Sequence, residues 1–566
     1  MPASNTREIR IDFNRRVPMR DGITLSADVY TPANRSGEAK QFPVILTRTP
    51  YLKLSEGMLG VARYFAERGY VFVAMDVRGR GDSDGVFVPY VHEGSDGYDA
   101  IEWCAAQPWS DSNVGTVGSS YPGVIQWLAA LQQPPHLRAM VVRVAPSDPF
   151  VETPTGLPSP MSLCWLHYVS GRYNQLMEAV DWERVYEHLP LVTMDERAGR
   201  DIPYWRAEIE HARLDDFWEP LCYQHKFDRV AVPVLHISGW YDDEQIGTPL
   251  NFIGMREHGA TQSARNSQRM IMGPWGHLVN TLSELGEVDF GTQSLIDLRG
   301  EEIHWFNRWL KHYSFDDSME EAPVRIFVMD ANEWRDEYEW PLARTRWTPF
   351  YLHSGGQANS RFGDGALSTT PPEAGEPADQ YRYDPARPVP FITDPRSTQI
   401  GGPDDYSAIE RRDDVLVYMT EPLLEDVEVT GPIKVDLYAA SSAPDTDFMA
   451  KLVDIWPSGF TQRLCDGMVR ARFREGMDKP SLIEPSRIYR FSIDCWNTSQ
   501  VFKQGHRIGL EIASSAFPKF DRNLNTGVSL GMTTEMAVAE QHIYHDAEHP
   551  SAVVLPIIPR EGLLSH

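Results

Sequence analysis

Two adjacent serines, Ser119 and Ser120, sit in the stretch "NVGTVGSSYPG" (113–123), where a strand pattern runs into small residues and then into an apolar helix pattern. A serine becomes a nucleophile when its hydroxyl is exposed, a base stands beside it, and donors await the negative charge on the attacked oxygen. A sharp strand-to-helix turn supplies the exposure, and small flanking residues let its backbones approach. Centring the G-x-S-x-G pattern on Ser119 would need glycine where Val117 stands. Centring it on Ser120 puts Gly118 in place, with Gly123 one residue late. Ser120 is therefore the candidate nucleophile. Pro122 is tolerated because the first turn of a helix has N–H groups that go unpaired anyway. Taken alone, the stretch can also be read as a small-residue turn without chemistry.

The order of the other polar residues adds weight. "VPVLHISGWYDDE" ends a later strand at Asp242 and Asp243, and "RMIMGPWGH" ends the next one at His277. Serine, then acid, then histidine is the chain order of an α/β hydrolase. One of the two aspartates has a second reading, as the N-cap of a helix beginning near "EQIGTPLNF".

The elements that must position these residues follow the same plan. "PVILTRTPY", "VFVAMDVRGRGDSDG", "NVGTVGSS" and "RAMVVRVA" are apolar strands, with helical patterns between them such as "VARYFAERGY" and "GYDAIEWCAAQ". That alternation predicts a parallel sheet covered on both faces. Between residues 147 and 223 strand signals vanish and aromatic helical stretches such as "WLHYVSGRYNQLMEAV" take over, which predicts a helical cap. Strands resume at "VPVLHISGW", and "GEEIHWFNRWLKHY" is a further helix. From residue 346 onward β-type runs punctuated by Gly, Pro, Asn and Asp predict a jelly-roll sandwich. The expected organisation is α/β: a hydrolase domain in two parts (1–146 and 224–345), the cap (147–223) and the all-β domain (346–566). "GDGALSTTPPEAGEPADQ" reads as a surface loop or linker.

Composition narrows the function classes. The 566 residues carry 53 basic and 80 acidic side chains, a net charge of −27. Such a surface disfavours nucleic acid and anionic membranes as partners. The five cysteines (Cys104, Cys164, Cys222, Cys465, Cys495) form no C-x-x-C, so neither a zinc site nor a disulfide framework is expected. The start lacks the apolar run of a signal peptide, and no stretch approaches 18 apolar residues, so a cytoplasmic protein is expected. No metal and no cofactor are expected. The oligomeric state stays open, a homodimer included.

The chain resembles, over nearly its full length, the cocaine-esterase-like hydrolases, relatives of X-Pro dipeptidyl peptidases and α-amino-acid ester hydrolases. The matching stretches are "VPMRDGITLSADVYTP", "RTPY", "DVRGRGDSDG", "GSSYPG", "GWYD", "GPWGH" and "WNTSQVFKQGHRIGLEIASSAFPKFDRN". The shifted glycine of G-x-S-Y-x-G belongs to this family. The resemblance implies an α/β-hydrolase domain, a helical cap and a C-terminal jelly roll. It implies Ser120 as nucleophile, Asp242 as orienting acid, His277 as base, the Tyr51 hydroxyl as one oxyanion donor and the Tyr121 N–H as the other. Tyr51 also reads as a buried core tyrosine. Trp165 falls where family members place aromatic substrate contacts, and also reads as a core tryptophan. Glu244 matches a glutamate that helps bind the substrate ammonium in the α-amino-acid ester hydrolases, or else serves a helix N-terminus. Asp148 and Glu152 are further carboxylates in the same region.

These readings converge on a serine hydrolase that cleaves a small ester or amide through an acyl-enzyme. The alternatives are a dedicated peptidase, a β-lactam or α-amino-acid ester acylase, and a catalytically dead binding protein. Intact Ser120, Asp242, His277 and Tyr51 speak against the last.

Overall fold

A computed structural model describes residues 8–33, 40–311, 322–394 and 399–559. The first sheet has ten strands. In chain order they are β1 (Ile9–Pro18), β2 (Thr24–Pro32), β3 (Phe42–Thr49), β4 (Val71–Asp76), β5 (Ser110–Ser119), β6 (Leu137–Arg143), β7 (Val234–Gly239), β8 (Gln268–Gly273), and, after a separate hairpin of β9 (Glu284–Leu285) and β10 (Val288–Asp289), β11 (Val324–Val328) and β12 (Glu333–Glu337). They lie in the order β1-β2-β4-β3-β5-β6-β7-β8-β11-β12. From β4 through β11 neighbouring strands run parallel. β1, β2 and β12 add antiparallel edges.

Every residue of β3, β4, β7 and β8 is buried, as an apolar run covered on both faces must be. One face packs α2 (Glu93–Ala105) and α3 (Tyr121–Ala130) through Ile101, Trp127 and their neighbours. The other packs α1 (Glu56–Glu67), together with the helix Leu298–Leu310, through Phe65 and Phe306. The catalytic-type loops leave the carboxyl ends of β3, β5, β7 and β8, where open parallel sheets bind ligands.

Between β6 and β7 only helices occur among the described residues. They bury a core of their own around Leu163, Leu166, Met194, Trp205 and Ile209. The long helix suggested by "WLHYVSGRYNQLMEAV" is broken. α4 (Ser162–Tyr168) ends after seven residues. The reason is Arg80, fully buried in the loop after β4. Its guanidinium takes the carbonyls of Val169 (3.0 Å) and Gly171 and the side chain of Asn174 (2.7 Å), so the chain must leave the helix to offer them.

The described strands from Arg346–His353 to Ala552–Ile558 form the all-β, jelly-roll unit. Its longest ladder pairs Val427–Ser441 with Tyr489–Phe502, and a second pairs Asp447–Ile455 with Thr461–Arg470. Both strands of the second ladder are buried at every residue, with Phe448, Ala450 and Leu452 in one apolar cluster of the unit and Met449 and Met468 in another. Met329, just past β11, exchanges hydrogen bonds with Ser499 and Val501 (both 3.0 Å). Arg470, paired with Asp447 and Asp521, donates to the Thr155 carbonyl in the helical region (2.9 Å). The segment read as a linker is part of this unit. Ala366–Ser368 is a strand, and Asp379 anchors His545 at 2.9 Å. No described helix is long and apolar enough to cross a membrane.

Candidate active site

Ser120 is the hinge between β5 and α3, with φ 63° and ψ −129°, a backbone region that strains any residue but glycine. The turn is held by Ser120 N–H to Arg143 O (3.0 Å) and by Gly123 and Val124 N–H to Ser120 O (2.6 and 3.1 Å). A Cβ at position 118 would lie 2.2 Å from the Pro122 carbonyl oxygen. One at 123 would lie 2.9 Å from that of Arg143. The elbow therefore needs glycine at 118 and 123, whereas position 122 needs only an N–H it can spare. Proline in the first turn of α3 meets that condition.

The loops after β7 and β8 run side by side. Trp240 N–H reaches Gly273 O (2.9 Å) and Tyr241 N–H reaches Trp275 O (3.0 Å). A Cβ at Gly239 would sit 2.0 Å from the Trp275 oxygen, so the crossing depends on glycine there. It brings Asp242 Oδ1 to 2.8 Å from His277 Nδ1. Ser238 Oγ donates to the other oxygen of Asp242 at 2.7 Å. Asp243 also reaches the same Nδ1, at 3.1 Å. The N-cap reading of the pair fails, because the next helix, Gly247–His258, begins later and Ile246 caps it without a side-chain bond. Burial lowers the His277 pKa, but Asp243, Asp242 and the bonds to both outweigh it and hold it well above the ordinary histidine value.

Tyr51 follows β3. Its hydroxyl accepts Trp165 Nε1–H at 2.9 Å and interacts with Ser120. Burial pushes the phenol up to about 12, so it stays a proton donor. The Trp165 ring is stacked on Tyr121 and Tyr90, at centroid distances of 5.6 and 6.4 Å. Tyr121 N–H is the first of α3 and has no acceptor within the helix. The second aromatic anchor is the Tyr121 hydroxyl, which donates to Glu93 at 2.9 Å.

Of these residues, several line a cavity of about 260 Å³, while Tyr51 and Asp242 stand behind its lining. Ser120, not Ser119, lines it, with His277, Tyr121 and Trp165. Four carboxylates line it too: Asp243, Glu152, Glu208 and Glu244. Glu244 Oε2 is buried without a hydrogen-bond partner. Burial lifts Glu244 well above the carboxylate range, Glu208 to about 8 and Glu152 to about 7. Asp148 instead caps main chain, accepting from Tyr223 and Gln224 N–H at 2.7 and 3.0 Å. The all-β unit supplies Ile400, Trp496, Lys519 and Phe520.

Two groups among the described residues bring three metal-type donors within 4.8 Å: Asp242–Asp243–His277 and Asp330–Asp454–His506. In the first, both carboxylates already face the His277 Nδ1. In the second, Gln500 Nε2 bridges the two aspartates at 2.6 and 3.0 Å. Sequence reasoning missed Glu208, Lys519 and Arg80. Arg80 lies in the glycine-rich "DVRGRGDSDG" and bonds the Pro50 carbonyl, next to Tyr51, at 2.7 Å. No local pattern marks Glu208 or Lys519.

Fold and site together define a serine hydrolase of the α/β-hydrolase class, acting on ester or amide bonds. The chain belongs to the X-Pro dipeptidyl-peptidase (S15) family, whose model matches residues 21–279, and the model of that family's C-terminal non-catalytic domain matches 317–554. It is 37% identical to the cocaine esterase of Rhodococcus sp. (strain MB1 Bresler), over 97% of this chain and 98% of the esterase. Among solved structures, an aminopeptidase from a marine sediment Thaumarchaeota archaeon superposes with TM-score 0.85 at 25% identity, covering 99% of this chain and 98% of that one. An α-amino acid ester hydrolase superposes with TM-score 0.83 at 26% identity, covering 98% and 97%.

Proposed function

We propose that this chain hydrolyses esters or amides of α-amino acids through an acyl-enzyme on Ser120. His277 takes the Ser120 proton as Oγ attacks the carbonyl carbon. Asp242 fixes the imidazole tautomer and stabilises the imidazolium. The Tyr51 hydroxyl and the Tyr121 N–H meet the negative charge on the carbonyl oxygen, and Trp165 Nε1–H donates to the Tyr51 oxygen. His277 then gives its proton to the leaving atom, and water repeats the sequence to free the acid. In this reading the parts 1–146 and 224–345 carry the chemistry, while 147–223 and 346–566 shape the pocket.

The observation that carries the amino-acid preference is Glu244, a buried carboxylate with an unpartnered oxygen beside the nucleophile. The main influences on Glu152, Glu208 and Glu244 include no lysine or arginine. An ammonium on the substrate would stabilise their ionised forms and displace the protons they hold. The names of the aminopeptidase and the α-amino acid ester hydrolase are in line with this. A hydrolase of uncharged esters is the second reading, favoured by the aromatic stack of Tyr90, Tyr121 and Trp165.

The test compares an α-amino ester with its desamino analogue. A charge-assisted hydrogen bond of about 1.5–3 kcal/mol predicts a roughly ten- to hundredfold preference in kcat/KM for the amino ester. Glu244→Gln should erase it. No preference in the wild type would leave the uncharged-ester reading standing.

A further inference from the structure

Lys519 lies in the all-β unit, 399 positions along the chain from Ser120, yet lines the same cavity. It is 5% exposed. Its ammonium has three N–H donors, and Asp466 Oδ2 takes one at 2.6 Å. Asp466 is shared, because Arg463 Nη1 donates to its other oxygen at 3.0 Å. The remaining Arg463 donors go to the carbonyls of Gly401 and Gly402. Asp404 acts on Arg463 but does not figure among the main charges acting on Lys519. The next ion pair is Lys451–Glu511 at 2.8 Å, and the charge of Lys451 also reaches Asp466. Around the ammonium stand the rings of Trp496, Phe520 and Phe391, at 4.5, 5.1 and 5.2 Å. Asp466, the ring faces and the charge of Asp243 offset part of the cost of burying this cation, and with one N–H on Asp466 the ammonium has donors to offer a further anion in the cavity.

The side of the cavity follows from the chemistry. His277 delivers its proton to the leaving atom, so the leaving group departs along the face made by His277 and Asp243. The charge of Asp243 reaches Lys519. We propose that Lys519 is a subsite for a carboxylate on the leaving group, so that the substrates are esters or amides whose leaving group is itself an acid, as an amino acid or hydroxy acid is. The reaction balances as plain hydrolysis. The Ser120 Oγ–carbon bond forms as the carbon–leaving-atom bond breaks, His277 protonates that atom, and water restores the serine. The proposal rests on acyl transfer at Ser120 and not on the ammonium reading of Glu244.

The experiment uses a pair of α-aminoacyl esters that share one acyl group, with glycolic acid or glycolamide as the leaving group. Wild type should favour the acid over the amide about tenfold or more in kcat/KM, the effect of a charge-assisted bond. Lys519→Met should abolish that ratio and Lys519→Arg should keep it, with melting curves confirming that each variant is folded. Equal turnover of the two esters by the wild type overturns the proposal even if no variant folds. That result with the amino preference intact would leave the Glu244 reading standing. Loss of the amino preference alone would overturn that reading and not this one.

Discussion

The β5–α3 elbow and the carboxylate wall meet in one cavity but are held in place by different means. Ser120 is fixed by hydrogen bonds to main chain at residues 123, 124 and 143 and by two glycines that admit the turn. Asp242 and His277 are fixed by adjacent strand ends. Glu208 and Lys519 are fixed by elements that reach the cavity only because the helical region and the all-β unit pack over it. Arg80 and Arg470 hold that packing through main-chain carbonyls. On the proposed reading, the chemistry is set by short-range backbone geometry, and the specificity by long-range burial of charge. Changes at the first should abolish turnover of every substrate. Changes at the second should redistribute it among substrates.

The sharpest break is at the nucleophile. Ser120→Ala should lower kcat by about 10⁶, as loss of a triad serine does. Ser119→Ala, outside the cavity, should keep measurable activity. Steady-state assays on one amino and one desamino ester would check both, and equal losses in the two variants would sink the register argument.

The two aspartates come next. Asp242→Asn should cost about 10⁴ in kcat by favouring the wrong imidazole tautomer. Asp243→Asn should cost less and act through pH. His277 must be neutral to act as base, and its pKa is held above the ordinary value, so the acid limb of kcat/KM should lie above about pH 6.5. Removing the Asp243 charge should move that limb to lower pH. A limb that stays put would show that Asp243 does not act on the histidine.

Tyr51→Phe removes one oxyanion donor and should cost about 10²–10³ in kcat. If the comparison holds, the ratio of amino to desamino turnover should be unchanged in this variant. A ratio that moves with the rate would mean that chemistry and recognition are not separable here.

What was legible in the sequence divides along the same line. The elbow, the two loops and the alternating strands are local patterns, so Ser120, the Asp242–Asp243 pair and His277 could be read from spacing and order as candidates, while the choice of Asp242 came from the family resemblance. Glu244 entered through the resemblance to the α-amino-acid ester hydrolases, which place a glutamate two residues after the acid; its own surroundings in the sequence suit a helix N-terminus as well. Glu208 lies on the helix Pro203–Glu210 among other charges, and Lys519 follows a proline in a loop. Nothing local separates either from a solvated side chain, and only the folded packing brings them to the cavity. The break after Tyr168 was hidden for the same reason, since its cause is a buried arginine 88 positions earlier in the chain.

The most direct test of the separation is covalent labelling with a fluorophosphonate, which needs the triad and the oxyanion donors but carries neither ammonium nor carboxylate. Peptide mapping should place the label on Ser120 in the wild type, in Ser119→Ala and in Glu244→Gln, at rates within a few-fold of one another, and Ser120→Ala should take none. Label on Ser119, or labelling lost in a folded Glu244→Gln, would contradict the account.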